Sequence, residues 1–338
     1  MKRLNVCLGL GLILALAVAA DGSAQDYKKL AQSGMEFLNV KSDAKAMAMA
    51  GAVTSLDMGS GSLFFNPAGM AGMTRPADVS FSLNKWIADI RHMGFTAAFS
   101  PLRGRYGVFG VSLQSVDYGE LQWTMVDLGE PKGYREIGES GQFSPSAFAA
   151  GIGYAKALTD RFSVGGQVHW IRQRLGENML PTENDSVLVT RKNEATPTSF
   201  DFGTLFKTGY KSLAFGMSVR NFSKDAKFSR ESFPLPLTFA MGISADVLDW
   251  IGRGSLDQSL VVSFDAVHYR SRPEQVMAGM NYTLFKKISL RGGYVSNEDE
   301  DGFTFGIGLA TAGIAVDYAY TPFGVFDSVQ RFTARASF

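Results

Sequence analysis

Residues 237–247 read "LTFAMGISADV". Leu237, Phe239, Met241, Ile243, Ala245 and Val247 take every second position, with Thr238, Ala240, Gly242, Ser244 and Asp246 between them. Successive side chains of a strand point to opposite faces, so this is a ribbon with one bulky apolar face and one small face. A soluble sandwich or soluble barrel would place Lys, Glu and Gln on the second face to meet water. Here the second face is small, so the bulky face must meet something as apolar as itself while the small face looks into a crowded interior. That arrangement belongs to a β-barrel in lipid, where closure removes every sheet edge and satisfies the backbone.

The same period recurs along the chain. "DVSFSLN" (78–84) sets Val79, Phe81 and Leu83 against Asp78, Ser80, Ser82 and Asn84, and "MGFTAAFS" (93–100) repeats the pattern. So do Phe162, Val164, Val168 and Trp170, and Phe303, Phe305, Ile307 and Leu309. Such segments begin near residues 78, 93, 106, 146, 162, 199, 213, 236, 258, 275, 288, 302, 312 and 329. The expected fold is therefore all-β, a 14-stranded antiparallel transmembrane barrel, with the even strand number usual for outer-membrane barrels. If the first strand runs outward, the inner connections are all short, among them "PLRGR", "TGYK" and "FKK", and the long ones (115–145, 172–198 and 222–235) all face outward. Outer-membrane barrels show this asymmetry. Trp86, Trp170, Tyr294 and Tyr320 fall near outer strand ends, and Tyr154 and Tyr282 near inner ones, as an aromatic girdle would.

The two ends fit this reading. Residues 1–24 combine Lys2 and Arg3 with an apolar run from Leu8 to Ala20 and small residues at Gly22 and Ala24, which reads as a secretory leader cleaved after Ala24. The run is shorter than the ~20 residues a spanning helix needs. Cys7, the single cysteine, lies within it, so the mature chain would hold no disulfide, thiolate metal site or thiol nucleophile. Taking Lys2, Arg3 and Asp21 from the 33 basic and 32 acidic residues leaves 31 of each, a balance that gives nucleic acid nothing to bind. At the other end, "QRFTARASF" (330–338) alternates Phe332, Ala334, Ala336 and Phe338 with polar residues and stops on an aromatic ring.

Residues 25–77 precede the expected barrel (78–338) and do not share its period. Ser42 and Asp43 stand before the helix-favouring run "AKAMAMA", a capped start, and "SLDMGSGSLFFNPAGMAGM" then turns repeatedly around Asn66 and Pro67. Small residues that can lie against a Gly/Ala/Ser wall suit an inner hatch, the alternative being a periplasmic arm. Arg220, Asp265, Asp317, Arg331 and Arg335 project to the inner face. They are either a polar lining for passage or internal ion pairs that hold hatch to wall.

The run 34–73, with its "NPAG" tetrad Asn66, Pro67, Ala68 and Gly69, resembles the amino-terminal hatch of the fatty-acid-transporter-like (FadL-like) barrels. "GMEFL", "FPLPLTFAMGIS" (233–244), "LRGGY" (290–294) and the ending "YAYTPFGVFDSVQRFTARASF" resemble the PorV/PorQ group of that superfamily. The resemblance implies an outer-membrane barrel of the type IX secretion system. It would bind or shuttle secreted cargo with carboxy-terminal signal domains through its outer loops, with translocon and surface-attachment proteins as partners. It also keeps open a channel for passive uptake of hydrophobic molecules such as long-chain fatty acids. Phe332, Ala334, Ala336 and Phe338 resemble the signal read by the barrel assembly machinery.

Enzymatic chemistry finds little support. Only His92, His169 and His268 exist, and there is no G-x-S-x-G elbow, H-E-x-x-H or P-loop. His92 is expected in an outer loop and His169 in the lumen as hydrogen-bonded filler. "NEDEDG" (297–302) matches the first half of a calcium loop, but Gly308 stands where the bidentate Glu is required, so a solvated loop is expected. No catalytic residue, metal ligand or cofactor is expected.

Overall fold

The computed structural model describes residues 33–338 except 123, 127–133, 137–141, 182–187, 229–231, 253–256, 298–301 and 325. The expected leader, and most of the acidic stretch 297–302, lie outside the described residues. The wall comprises β1 (Ala77–Lys85), β2 (Arg91–Phe99), β3 (Val108–Asp117), β4 (Ser146–Ala157), β5 (Phe162–Pro181), β6 (Thr198–Lys207) and β7 (Ala214–Phe222). It continues with β8 (Thr238–Asp246), β9 (Gln258–Tyr269), β10 (Gln275–Leu284), β11 (Ile288–Val295), β12 (Phe303–Thr311), β13 (Ile314–Phe323) and β14 (Phe326–Ser337). Each strand pairs antiparallel with its neighbours in sequence, and β14 returns to β1 with Ser337 opposite Asp78 and Phe332 opposite Leu83. The result is a closed barrel of 14 strands. Phe338 adds two bonds past the last pair, its N–H donating to the Ala77 carbonyl at 2.9 Å and its carbonyl accepting from the Ala77 N–H at 3.4 Å.

Side-chain direction follows the alternation. On β8, Met241 and Ile243 remain 47% and 37% exposed, whereas Thr238, Ala240 and Ser244 are buried. Leu83, Val111, Ile152, Phe202, Met217 and Leu290 repeat this around the ring, all exposed. An apolar belt on that scale exceeds the few hundred Å² that soluble monomers show, and hydrocarbon is the solvent that suits it. Among the described residues no helix is long and apolar enough to cross a membrane. Trp170, Tyr294 and Tyr320 are exposed towards the outer strand ends and Tyr154 towards the inner.

Every strand begins within about three residues of its expected start. Three expectations need correction. The connection 172–198 is mostly not a loop: β5 runs on to Pro181 and pairs with an added strand, Leu188–Ala195, with Leu188 opposite Pro181 and Ala195 opposite Gln173. The alternation that marks a wall strand is absent from "RLGENMLP" (174–181), so nothing in the sequence marks the extension. His92 is not in a loop. It lies on β2 opposite Asn84, only 2% exposed, because β2 starts two residues before its apolar run. Trp86 does not face lipid: its ring lies 5.5 Å from Phe323 and 6.2 Å from His92, with the Arg331 guanidinium 5.6 Å above it.

Residues 33–76 occupy the interior. The segment enters at the outer mouth, where Met35, Phe37 and Leu38 pack with Val116, Ala147, Ile171 and Leu235. A short helix, α1 (Ala44–Met47), follows, capped as expected by Asp43, whose Oδ1 accepts from the Ala46 N–H at 2.8 Å. Two 3₁₀ turns, Gly59–Phe64 and Pro67–Gly72, lead to the inner rim and into β1. Ala44, Ala46, Ala48, Ala52, Leu63 and Met70 are entirely buried.

Candidate functional site: the hatch against the lumen wall

The inner face of the wall is small because the hatch backbone lies directly on it. A methyl group built on Gly216 would meet the Thr54 carbonyl oxygen at 2.1 Å, and one on Gly165 the Ala68 nitrogen at 2.5 Å. At Gly203 it would meet Asn66 Oδ1 at 1.9 Å. No larger residue fits these positions with the hatch in place.

Asn66 is the hub of the "NPAG" tetrad. Its Nδ2 donates to the Thr54 carbonyl at 2.7 Å within the hatch and to the Thr204 carbonyl at 3.0 Å on β6. Its Oδ1 accepts from the Ala68 N–H at 3.1 Å and so caps the turn that Pro67 begins. Gly69 is required by packing: a methyl group there would lie 2.6 Å from Ser62 Oγ and 3.0 Å from the Leu56 carbonyl oxygen.

Four of the five inward charges reach the hatch. Asp265 Oδ2 accepts from the Thr54 N–H at 2.9 Å, and Arg220 Nη1 donates to the Phe64 carbonyl at 2.9 Å. Arg331 Nε donates to the Lys41 carbonyl at 3.2 Å and its Nη1 to Thr321 Oγ1 at 2.9 Å. Arg335 pairs with Asp43 at 3.3 Å. Asp317 instead pairs within the wall, with Arg291 at 2.6 Å, both side chains about 5% exposed or less. Arg291 was missed by sequence reasoning, although its place beside outward Leu290 in "LRGGY" put it on the inner face. The Asp57–Lys207 pair, 2.6 Å across the inner rim, was also missed, since nothing local links residues so distant in sequence.

Within the hatch, burial pulls the Lys45 ammonium down to about 8, with Arg335 and Arg291 adding repulsion. Lys41 is lowered by burial and by Arg220. His169 Nε2 lies 2.9 Å from Asp201 Oδ2, and Asp201 Oδ1 accepts from the Asn221 N–H at 2.8 Å. Ser199, opposite His169 in the register, makes no hydrogen bond through its hydroxyl, so the nucleophile-to-base contact of a triad is missing. The void beside this pair, lined by Leu38, Lys41, Leu63, Phe64 and Gln114, holds about 10 Å³, room for roughly one water. Among the described residues no group of three or more His, Cys, Asp or Glu could hold a metal ion.

A closed 14-strand barrel with an amino-terminal hatch through its lumen defines the class: an outer-membrane barrel of the FadL-like fold. Solved structures agree. The Ralstonia pickettii toluene transporter TbuX aligns with a TM-score of 0.58 at 14% identity, covering 87% of this chain and 98% of that one. The Pseudomonas putida toluene transporter TodX gives 0.54 at 12%, covering 88% and 98%. A Pseudomonas aeruginosa FadL homologue gives 0.51 at 10%, covering 88% and 99%. At such identities the likeness shows the fold alone. The sequence profile of the type IX secretion system membrane protein PorP/SprF matches residues 138–323, more than half of the chain, which therefore belongs to that family. Comparison with curated proteins gives no match. The secretion system is the one the resemblance implied, whereas no comparison singles out the PorV/PorQ group. Fold and family both point to the outer membrane, and the family and structural neighbours are secretion or channel barrels rather than enzymes.

Proposed function

We propose that the protein serves type IX secretion as a plugged barrel that works through its outer face, binding or shuttling secreted cargo by the connections 115–145 and 172–198. The observation that carries this reading is the filled lumen: the hatch runs from the outer mouth to the inner rim and lies on the wall without a gap at Gly165, Gly203 and Gly216. A barrel so filled offers partners its loops. Cargo with carboxy-terminal signal domains, the translocon and surface-attachment proteins are the partners this role requires, in a PorV-like or PorQ-like capacity. Phe332, Ala334, Ala336 and Phe338 serve insertion, as the segment the barrel assembly machinery reads. The test is a deletion strain: signal-domain proteins on the surface and in the medium should fall, and an unchanged secretome overturns the proposal.

A second reading, passive uptake of hydrophobic molecules, draws support from the fold of the toluene transporters. It requires the hatch to leave its seat, since the void beside His169 has no room for an aromatic ring. Unchanged uptake of long-chain fatty acid by the deletion strain would remove it.

A further inference from the structure

At the inner rim the turns β10–β11 and β12–β13 stand side by side, joined by an Ala310 N–H to Lys287 carbonyl bond of 2.7 Å. Between them and the hatch exit lies a cavity of about 650 Å³, within the range of small-molecule sites. Its lining has two chemistries. Arg75, Lys286 and Lys287 supply cations, while Phe285 and Ile314, 64% and 56% exposed, belong to the lipid-facing surface, which Ile288 and Leu309 continue.

The acids of this cavity are already engaged. Asp57 pairs with Lys207 at 2.6 Å, and Asp78 accepts from the Ser60 N–H at 2.7 Å and from Ser337 Oγ at 2.6 Å. Arg75 spends one nitrogen on the Ser337 carbonyl at 2.8 Å. Neither Lys286 nor Lys287 forms an ion pair among the described residues. A second, independent observation is the turn itself. Phe285 and Lys286 both hold left-handed backbone, φ 52° and 55°, in the three-residue connection 285–287 between Leu284 and Ile288, positions whose natural occupants are Asn and Gly. An aromatic residue and a lysine there are locally unfavourable, and strain of this kind collects where a side chain is needed.

We propose that this cavity binds an anionic phospholipid of the inner leaflet, its phosphate between Arg75, Lys286 and Lys287 and its acyl chains along Phe285, Ile288, Leu309 and Ile314. Arg75 joins the hatch exit to the end of β14, so the bound headgroup would staple the hatch to the seam that closes the barrel. The proposal rests on the membrane-embedded fold and not on the secretion role.

The test is native mass spectrometry of the purified protein with phosphatidylglycerol or phosphatidylcholine. Phosphatidylglycerol should be retained and phosphatidylcholine lost. Lys286→Gln with Lys287→Gln should weaken retention about 25-fold, at a factor of about five per cation near a lipid headgroup. Phe285→Asn with Lys286→Gly relieves the turn, so the barrel should unfold at the same or higher temperature while retention falls. Equal retention of both lipids, or undiminished retention by the relieved-turn variant, overturns the proposal. Displacement by soluble glycerol phosphate or by an acidic peptide at matched concentration would also overturn it, showing that the cavity reads a free phosphate or a peptide.

Discussion

Gly216→Ala isolates the contact on which the hatch depends. The new methyl group would lie 2.1 Å from the Thr54 carbonyl oxygen, 2.6 Å from its carbonyl carbon and 2.8 Å from Ser55 Cα, where ordinary contact begins at 3.4 Å. All three obstacles are backbone, so no rotamer change relieves them, and hatch and wall must part by roughly 1 Å. That shift pulls directly on the Thr54 N–H to Asp265 bond at 2.9 Å and the Asn66 to Thr54 carbonyl bond at 2.7 Å. Overpacking costs about 1–3 kcal/mol, and a weakened buried bond to a carboxylate adds about 1–2 kcal/mol. Gly292→Ala is the control, because a methyl group there meets only the Thr304 carbonyl oxygen, at 3.8 Å. In detergent, hydrogen exchange across residues 44–70 should quicken by about one and a half to three and a half orders of magnitude in Gly216→Ala and stay at the wild-type rate in Gly292→Ala. Equal protection in both variants would refute the seating of the hatch on the wall.

Other perturbations follow from the same contacts. Asn66→Ala strands the Thr54 and Thr204 carbonyls and should cost about 2–4 kcal/mol in denaturant unfolding, with Asn66→Asp no better because it lacks the donor. Arg291→Met alone should cost about 3–5 kcal/mol by leaving Asp317 buried without its partner, and Arg291→Met with Asp317→Leu should recover much of that loss. Lys45 titrates near 8 in the fold and at 10.5 when unfolded, so the unfolded chain binds more protons between these values. Stability should therefore rise with pH from about 8 towards 10.5, by up to ~3 kcal/mol, and Lys45→Met should flatten that slope.

The barrel was legible because each wall strand meets two different environments at every step. On β8 the difference between Met241 and Gly242 reports lipid on one side and Thr54 of the hatch on the other. Where that contrast ends, the sequence falls silent, as in the upper half of β5. The hatch was legible in its cap at Asp43 and its turn at Asn66, both local hydrogen-bond patterns. Its anchors were visible only as inward charges. Which partner each would choose, Asp43 for Arg335 or Arg291 for Asp317, depends on strand register and on how deep the hatch sits, and neither is written in any short stretch of chain.

Hydrocarbon, not water, bathes the bulky face of the ribbons. Spin labels attached to single cysteines at 239–244 of β8, in a chain whose one native cysteine is replaced (Cys7→Ser), test this most directly in lipid bilayers. Labels at 241 and 243 should collide with dissolved oxygen and not with a water-soluble nickel chelate, while labels at 240, 242 and 244 should be shielded from both. Collisions of the chelate with labels at 241 and 243 would place that face in water and contradict the barrel's orientation.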